Sequence, residues 1–175
     1  MTAEDAKRLS GWAGPARELD WNAVYADQLP RIYNYFRFRL GTAHDIEELT
    51  ARTFEKAWRA RARYRRDLAG FATWLFAIAR NVVTDQLRAD GRRYRAAVLA
   101  DTADQPTPED GALRGSDMAR LATLTADLPD RHRELIALKY GADLNNRDIA
   151  RITGLSESNV GTTLSRIVGK LRSQW

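Results

Sequence analysis

The chain has 175 residues, no cysteine and a formal net charge of +5. That length allows one ordinary domain or two small ones, and the missing thiols exclude a disulfide framework or a thiolate metal site. No apolar run approaches the roughly 18 residues that span a bilayer, and the N-terminal residues lack a signal-peptide core, so a soluble, cytoplasmic protein without membrane insertion is expected.

Residues 1–19 mix glycine, proline and charge without periodicity and read as a flexible N-terminal arm. Asp20 is placed to cap a helix in which Trp21, Tyr25, Leu29, Ile32, Phe36 and Leu40 recur every three or four residues. Pro30 predicts a kink or break in that helix, and Gly41 its end. Thr42 followed by Asp45 resembles a capping box opening a second helix, whose inner face reads Ile46, Leu49, Thr53, Phe54, Ala57 and Trp58. A basic, irregular stretch runs from Arg61 to Ala69. Gly70 then leads into the longest periodic segment, Phe71, Trp74, Leu75, Ile78, Ala79, Val82 and Leu87, closing near Arg93. Three helices with broad apolar stripes predict a compact bundle, and no segment shows strand alternation. His44 and His132 stand far apart without ligand spacing, so no metal or other cofactor is expected.

Charge is unevenly placed. Between Arg52 and Arg95 twelve basic side chains face four acidic ones, a local +8, whereas Leu99 to Asp117 carries five acids against Arg114 alone, a local −4. The basic block is interleaved with Tyr64, Phe71, Trp74 and Tyr94, a composition that suits a polyanion with stackable bases. Periodicity fades from about Arg95 to Ser116, where Pro106, Pro108, Gly111 and Gly115 lie among acids, a linker composition.

A second helical unit starts near Asp117, with Met118, Leu121, Ala122 and Leu128 on one face. Pro129 suits the first residue of a helix carrying Leu135, Ile136 and Leu138, which Gly141 terminates. Asn146 to Leu171 then spells a helix, a turn and a second helix. Ile149, Ala150 and Ile152 give the first an apolar face, Gly154 supplies the left-handed residue after it, and Ser156 caps the second. Val160, Leu164, Ile167, Val168 and Leu171 bury one side of that second helix. Ser158, Asn159, Thr162, Thr163 and Arg166 are left to face base edges in a major groove. The expected fold is all-α: two small helical domains, 20–95 and 117–175, joined by an acidic flexible linker at 96–116, the C-terminal domain being a helix-turn-helix.

Two nucleic-acid-facing units on one tether resemble an extracytoplasmic-function (group IV) RNA polymerase sigma factor. The likeness covers Trp21 to Leu171. It is carried by Asp45-Ile46-Glu47-Glu48-Leu49-Thr50 with Phe54-Glu55-Lys56-Ala57-Trp58, by Trp74-Leu75-Phe76-Ala77-Ile78-Ala79-Arg80-Asn81 with Asp85 and Arg88, and by Leu128-Pro129 with Asp148-Ile149-Ala150, Val160, Leu164 and Leu171. The resemblance implies a non-enzymatic polymerase subunit. It implies docking on the clamp and flap regions of core RNA polymerase, binding of promoter DNA in duplex and single-stranded form, and an anti-sigma factor as a further partner.

The second helix would meet the clamp through Asp45, Glu47, Glu48, Arg52, Glu55 and Arg59. The −10 element would be melted and held by Tyr64, Arg65, Arg66, Asn81, Asp85 and Arg88. The −35 element would be read by Ser158, Asn159, Thr162, Thr163 and Arg166, with Ser156 and Lys170 nearer phosphates.

Several readings stay open. Trp74 and Phe71 fit either a stacking platform or the bundle's apolar stripe, and Asn81 and Asp85, one turn apart, could hydrogen-bond each other. The acidic linker would either mimic nascent RNA in the polymerase cleft or act as a solvated spacer. Gly161 and Thr163 stand where a lysine and an arginine are common in the family, and losing two phosphate contacts would lower the salt slope by about 2. Ala51 and Arg52 likewise replace a common glutamine and glutamate. A conventional helix-turn-helix regulator, with the basic bundle as a sensing or dimerisation domain, is the alternative. A hydrolase lacks any paired-carboxylate, nucleophile-elbow or phosphate-loop motif.

Overall fold

A computed structural model describes residues 20–41, 44–99 and 123–175, and all its regular elements are helical. Helix α1 spans Trp21–Leu40 and is capped by Asp20, whose carboxylate accepts from the backbone N–H of Asn22 and Ala23 at 3.0 and 3.2 Å. Of the kink or break expected at Pro30, the break does not occur, and the helix is continuous through it. Pro30 and Ala26 are both exposed, so the carbonyl that the proline leaves without an N–H faces water rather than the core. On the opposite face Ile32, Tyr35 and Phe36 are fully buried and hold the helix in place.

Helix α2 spans Ile46–Ala60. Its cap is Asp45, which accepts from Glu48 N–H at 2.9 Å, and the expected capping role of Thr42 falls outside the described residues. Thr50 and Thr53 are buried beside Leu49, Phe54 and Ala57, and their hydroxyls donate to the carbonyls of Ile46 and Leu49 at 2.7 and 2.9 Å. Trp58, assigned by its spacing to the inner face, is instead exposed. A 3₁₀ turn at Arg61–Arg63 leads towards α3, Phe71–Leu99.

At 29 residues α3 is a rod about 43 Å long. It continues past the expected end near Arg93, so residues 96–99, placed in the linker by composition, are helical. The rest of the acidic linker and the helix start near Asp117 lie outside the described residues.

Residues 123–126 are helical, and α4 follows at Asp130–Ile136 with Pro129 at its cap position rather than inside its first turn. It opens into a π turn at Ala137–Gly141, closed by Ala142 N–H donating to Ala137 O at 2.9 Å. Helices α5 (Asn146–Thr153) and α6 (Glu157–Gln174) are joined at Gly154, which holds φ +76° as the turn requires.

The two predicted units are not merely tethered. Their apolar residues form one contiguous core, from Ile32, Tyr35 and Phe36 of α1 and Leu75, Phe76 and Ala79 of α3 to Leu135, Leu138, Ala142, Ile149 and Val160. Gly141 makes the close approach possible. A Cβ there would lie 3.0 Å from both Asn34 O and Tyr35 Cα, backbone atoms that no rotamer change can move aside.

Polar contacts surround this join. Arg31 donates through Nε to Ala142 O at 2.8 Å and through Nη2 to Asp143 O at 3.2 Å. Arg80 pairs with Glu134 at 2.6 Å and donates to Ile152 O at 3.2 Å, and Arg39 pairs with Asp130 at 2.8 Å.

Tyr35 lies at the centre of the join. Its ring meets Phe36 and Phe76 at 5.4 and 5.6 Å between centroids, but its hydroxyl has no hydrogen-bond partner among the described residues. Burial first, and then the Glu134 charge, hold the phenol well above its ordinary range. An unfolded tyrosine ionises near pH 10. The folded chain therefore keeps this contribution in full below about pH 10 and loses it as pH rises further, because only the unfolded state releases the proton. Tyr35→Phe is expected to be neutral or about 1 kcal/mol stabilising at pH 7, since it removes an unsatisfied buried hydroxyl. It should also shrink the alkaline loss of stability, up to about 1.4 kcal/mol per pH unit for this group. Urea titrations of both proteins at pH 7 and pH 11 check this, and equal alkaline losses would refute it.

Candidate nucleic-acid interface

The helix-turn-helix is built as its residues dictate. Asn145 caps α5 by accepting from Asp148 N–H at 2.9 Å, and Ser156 caps α6 by accepting from Asn159 N–H at 3.2 Å. Val160, Leu164 and Ile167 are buried, with Val168 and Leu171 partly so. Ser158, Asn159, Thr162, Arg166 and Lys170 are exposed along the opposite side of α6.

Two predicted contacts take different positions. The Ser156 hydroxyl is engaged in capping, and Thr163 is half-buried with its hydroxyl donating to Asn159 Oδ1 at 3.0 Å. Thr163 thus orients the Asn159 amide. Gly161 also has a local reason: a Cβ there would lie 3.3 Å from Asn146 Nδ2, so a larger residue would press on the α5 side chain packed against it.

In the N-terminal bundle, the Arg61–Gly70 loop and the start of α3 form an aromatic cluster edged with cations. Tyr64 is only 3% exposed; its ring lies 5.5 Å from Phe71 and 5.1 Å from Trp74, and its hydroxyl donates to Ala69 O at 3.3 Å. Burial raises its phenol above the usual range. Tyr64 therefore shapes the loop from within. Phe71 and Trp74 are partly buried and pack on the core. Arg65 is held by a fork to Asp67 at 3.0 and 2.7 Å, which keeps that carboxyl below its ordinary range, while Arg66 is exposed. Asn81, Asp85 and Arg88 are exposed in sequence along α3, and Asp85 pairs with Lys56 of α2 at 3.2 Å.

Sequence reasoning missed three residues at this surface. Lys56 joins the Asp85 side of α3. Trp58 is 47% exposed, with the Arg61 guanidinium 3.9 Å from its ring centroid and Trp21 edge-on at 5.2 Å. Leu68 is 70% exposed in the loop, beside Asp67 and the arginines. The signal for Trp58 and Arg61 was their i, i+3 spacing, which apolar periodicity obscured.

On α2, Glu47, Glu48, Glu55 and Arg59 are exposed and Arg52 half-exposed, as predicted for an outer face. Glu48 pairs with Arg52 and Glu55 with Arg59, one turn apart, while the Asp45 carboxylate is engaged in capping. Exposed pairs of this kind are worth about 0.3–0.5 kcal/mol each. They cost little to break against a partner.

Sigma-70 region 2 matches residues 24–93 and Sigma-70 region 4 matches residues 118–171. The chain is 30% identical over 138 residues to the ECF RNA polymerase sigma factor RpoE of Cereibacter sphaeroides, covering 79% of this chain and 75% of that one. It belongs to the ECF sigma factors. Against the ECF sigma factor BldN of Streptomyces coelicolor the identity is 28% over 153 residues, and the chain spans 57% of that relative's length. The fold is shared with sigma factor RpoE from Bartonella quintana in its complex with the anti-sigma factor NepR, at a TM-score of 0.72 and 22% identity over 88% of this chain and 95% of that one. The loop and α3 surface thus falls within the region 2 match, and the α5–α6 surface within the region 4 match. Among the described residues of this ECF sigma factor, no helix is long and apolar enough to cross a membrane.

Proposed function

We infer that this chain is a group IV sigma factor that binds core RNA polymerase, brings it to promoters and helps open them, and that it acts as an initiation factor rather than an enzyme. The observation that supports this most is the pairing of two unlike DNA-facing surfaces in one chain. A capped helix with an exposed row of short polar groups suits duplex readout. An arginine-rich loop over an aromatic cluster suits single-stranded bases, where stacking is worth about 1–3 kcal/mol per base.

In this reading residues 20–95 bind polymerase and the −10 element, and 117–175 bind the −35 element. The clamp would meet Glu47, Glu48, Arg52, Glu55 and Arg59, and the flap would meet the region 4 unit. Arg66, Asn81, Asp85 and Arg88 would hold the melted strand, with Tyr64 and Arg65 shaping the loop. An anti-sigma factor is a natural partner, as the complex of the similar Bartonella protein suggests.

Run-off transcription with purified core polymerase, with and without the chain, tests the reading. Discrete transcripts that need the chain support it. Tight duplex binding by the free chain with no transcripts would point to a conventional regulator. Asn81→Ala and Arg66→Ala are expected to impair promoter opening while polymerase binding is retained. Normal permanganate reactivity at the start site in both variants would defeat the assignment of those residues.

A further inference from the structure

The exposed face of α6 holds an amide in a fixed orientation. Asn159 lies in the first turn of the helix, exposed, with its backbone N–H committed to the Ser156 cap at 3.2 Å. Its side-chain oxygen accepts from the Thr163 hydroxyl at 3.0 Å, one turn further along. Thr163 is half-buried at the edge of the face, beside the row of Val160, Leu164 and Ile167 that α6 buries. Its one hydroxyl proton is committed to Asn159, so it acts as a brace and not as a donor to a base. Among the described residues, Ser158, Thr162, Arg166 and Lys170 on the same face have no comparable side-chain brace.

An asparagine amide carries an acceptor on one side and a donor on the other, and a half-turn about its last bond exchanges them. The Thr163 hydrogen bond selects one of these two settings. The amide oxygen keeps its second lone pair, and the NH2 group keeps both of its donors. Held edge-on to a major groove, this pair matches adenine, whose N7 accepts and whose N6 donates side by side. Guanine presents two acceptors, N7 and O6, and would set its O6 against the amide oxygen. Cytosine and thymine each offer a single hydrogen-bonding group there, so only one of the two bonds could form. Bracing also orders the side chain before DNA arrives, and less rotamer freedom is then lost on binding. The hydroxyls of Ser158 and Thr162 rotate to donate or accept and make no such choice between purines.

We propose that Thr163 is a positioning residue for base selection: it fixes the Asn159 amide so that α6 reads one adenine of the −35 element and rejects guanine there. The inference rests on the reading of α6 as the −35 recognition helix. Preference between the purines at that position is thus set by a residue that does not itself touch the base.

Transcription by core polymerase and the full chain, from a promoter pool with a randomised −35 element and a barcode in each transcribed region, gives the base preference at every −35 position. The wild-type chain is expected to prefer adenine at one position, and Asn159→Ala to flatten that position alone. Thr163→Val keeps the branched shape and deletes the hydroxyl. It should lower the adenine-over-guanine preference there about tenfold while the other positions keep theirs. Thr163→Ser should retain the preference. Replacing a threonine that only packs would change the yield from all −35 sequences alike, so preference at a single position separates the two roles.

An unchanged preference in Thr163→Val would overturn the proposal, as would a base other than adenine at the position that Asn159→Ala flattens. The Asn159→Ala measurement leaves Thr163 in place, so it reads even where Thr163→Val does not fold. If Asn159→Ala and Arg166→Ala both leave every −35 preference intact while transcripts are made, the α6 reading itself fails. Absence of transcripts from the wild-type chain would instead sink the sigma-factor reading.

Discussion

Phe76→Ala is expected to destabilise the α5–α6 unit as well as the bundle that contains Phe76. The side chain is fully buried on α3, its ring packs against Tyr35 at 5.6 Å, and Arg31 lies 5.7 Å from its centroid. Removing a buried phenyl costs about 3–5 kcal/mol once the cavity is included. In a chain of this size that lowers the midpoint of thermal unfolding by about 10 °C. Because Tyr35 and Arg31 also touch the π-turn segment, the loss should reach Ile149 and Val160, which share the core. Amide hydrogen exchange resolves this: protection at α5 and α6 should fall together with protection at α3. Unchanged exchange at Ile149 and Val160 would mean that the two units are energetically independent despite their contact.

Loss of upstream discrimination is the expected result for Asn159→Ala and Arg166→Ala. Both residues are exposed on α6, and a well-placed side chain contributes about 1–3 kcal/mol of discrimination against a wrong base. That range corresponds to about five- to 150-fold between matched and altered −35 sequences. Run-off yields from promoters differing only in the −35 element should converge for the two variants, while sensitivity to −10 changes stays as in the parent. Retained −35 discrimination in both variants would remove α6 from the reading surface.

The helix-turn-helix was legible because its determinants are local. Gly154, Ser156 and the spacing of Val160, Leu164 and Ile167 act within a few residues, and the structure has each in the expected role. The same locality explains the errors. Pro30 weakens a helix when judged by its neighbours, but its damage falls on an exposed carbonyl while Ile32, Tyr35 and Phe36 anchor the other side. Trp58 satisfies the apolar spacing of α2, yet Trp21 and Arg61 hold it at the surface, through contacts that the apolar pattern does not register.

The join was invisible for a stronger reason. Arg31 and Ala142, or Arg80 and Glu134, are far apart in sequence, and nothing in the apolar pattern says which surfaces meet. Locally, glycine stops a helix, and that is all the sequence around Gly141 conveys; its role in close packing depends on α1. At the candidate site, the exposed residues of α6 followed from amphipathicity. The burial of Tyr64 and the engagement of Thr163 with Asn159 depend on side-chain geometry that residue types alone do not specify.

The π turn adds a constraint of register. Its wide closure, from Ala142 back to Ala137, accommodates one more residue than an α-helical turn would. The turn already absorbs its one extra residue, so inserting a further residue between Asp130 and Ile136 would rotate the chain beyond it by about 100°. A neighbour with a side chain, such as Tyr140 or Ala142, would then turn towards the backbone of α1 where only a hydrogen atom now fits. The number of residues in this stretch is therefore held as tightly as their identity, so substitutions along its exposed face should be tolerated where a single-residue insertion is not.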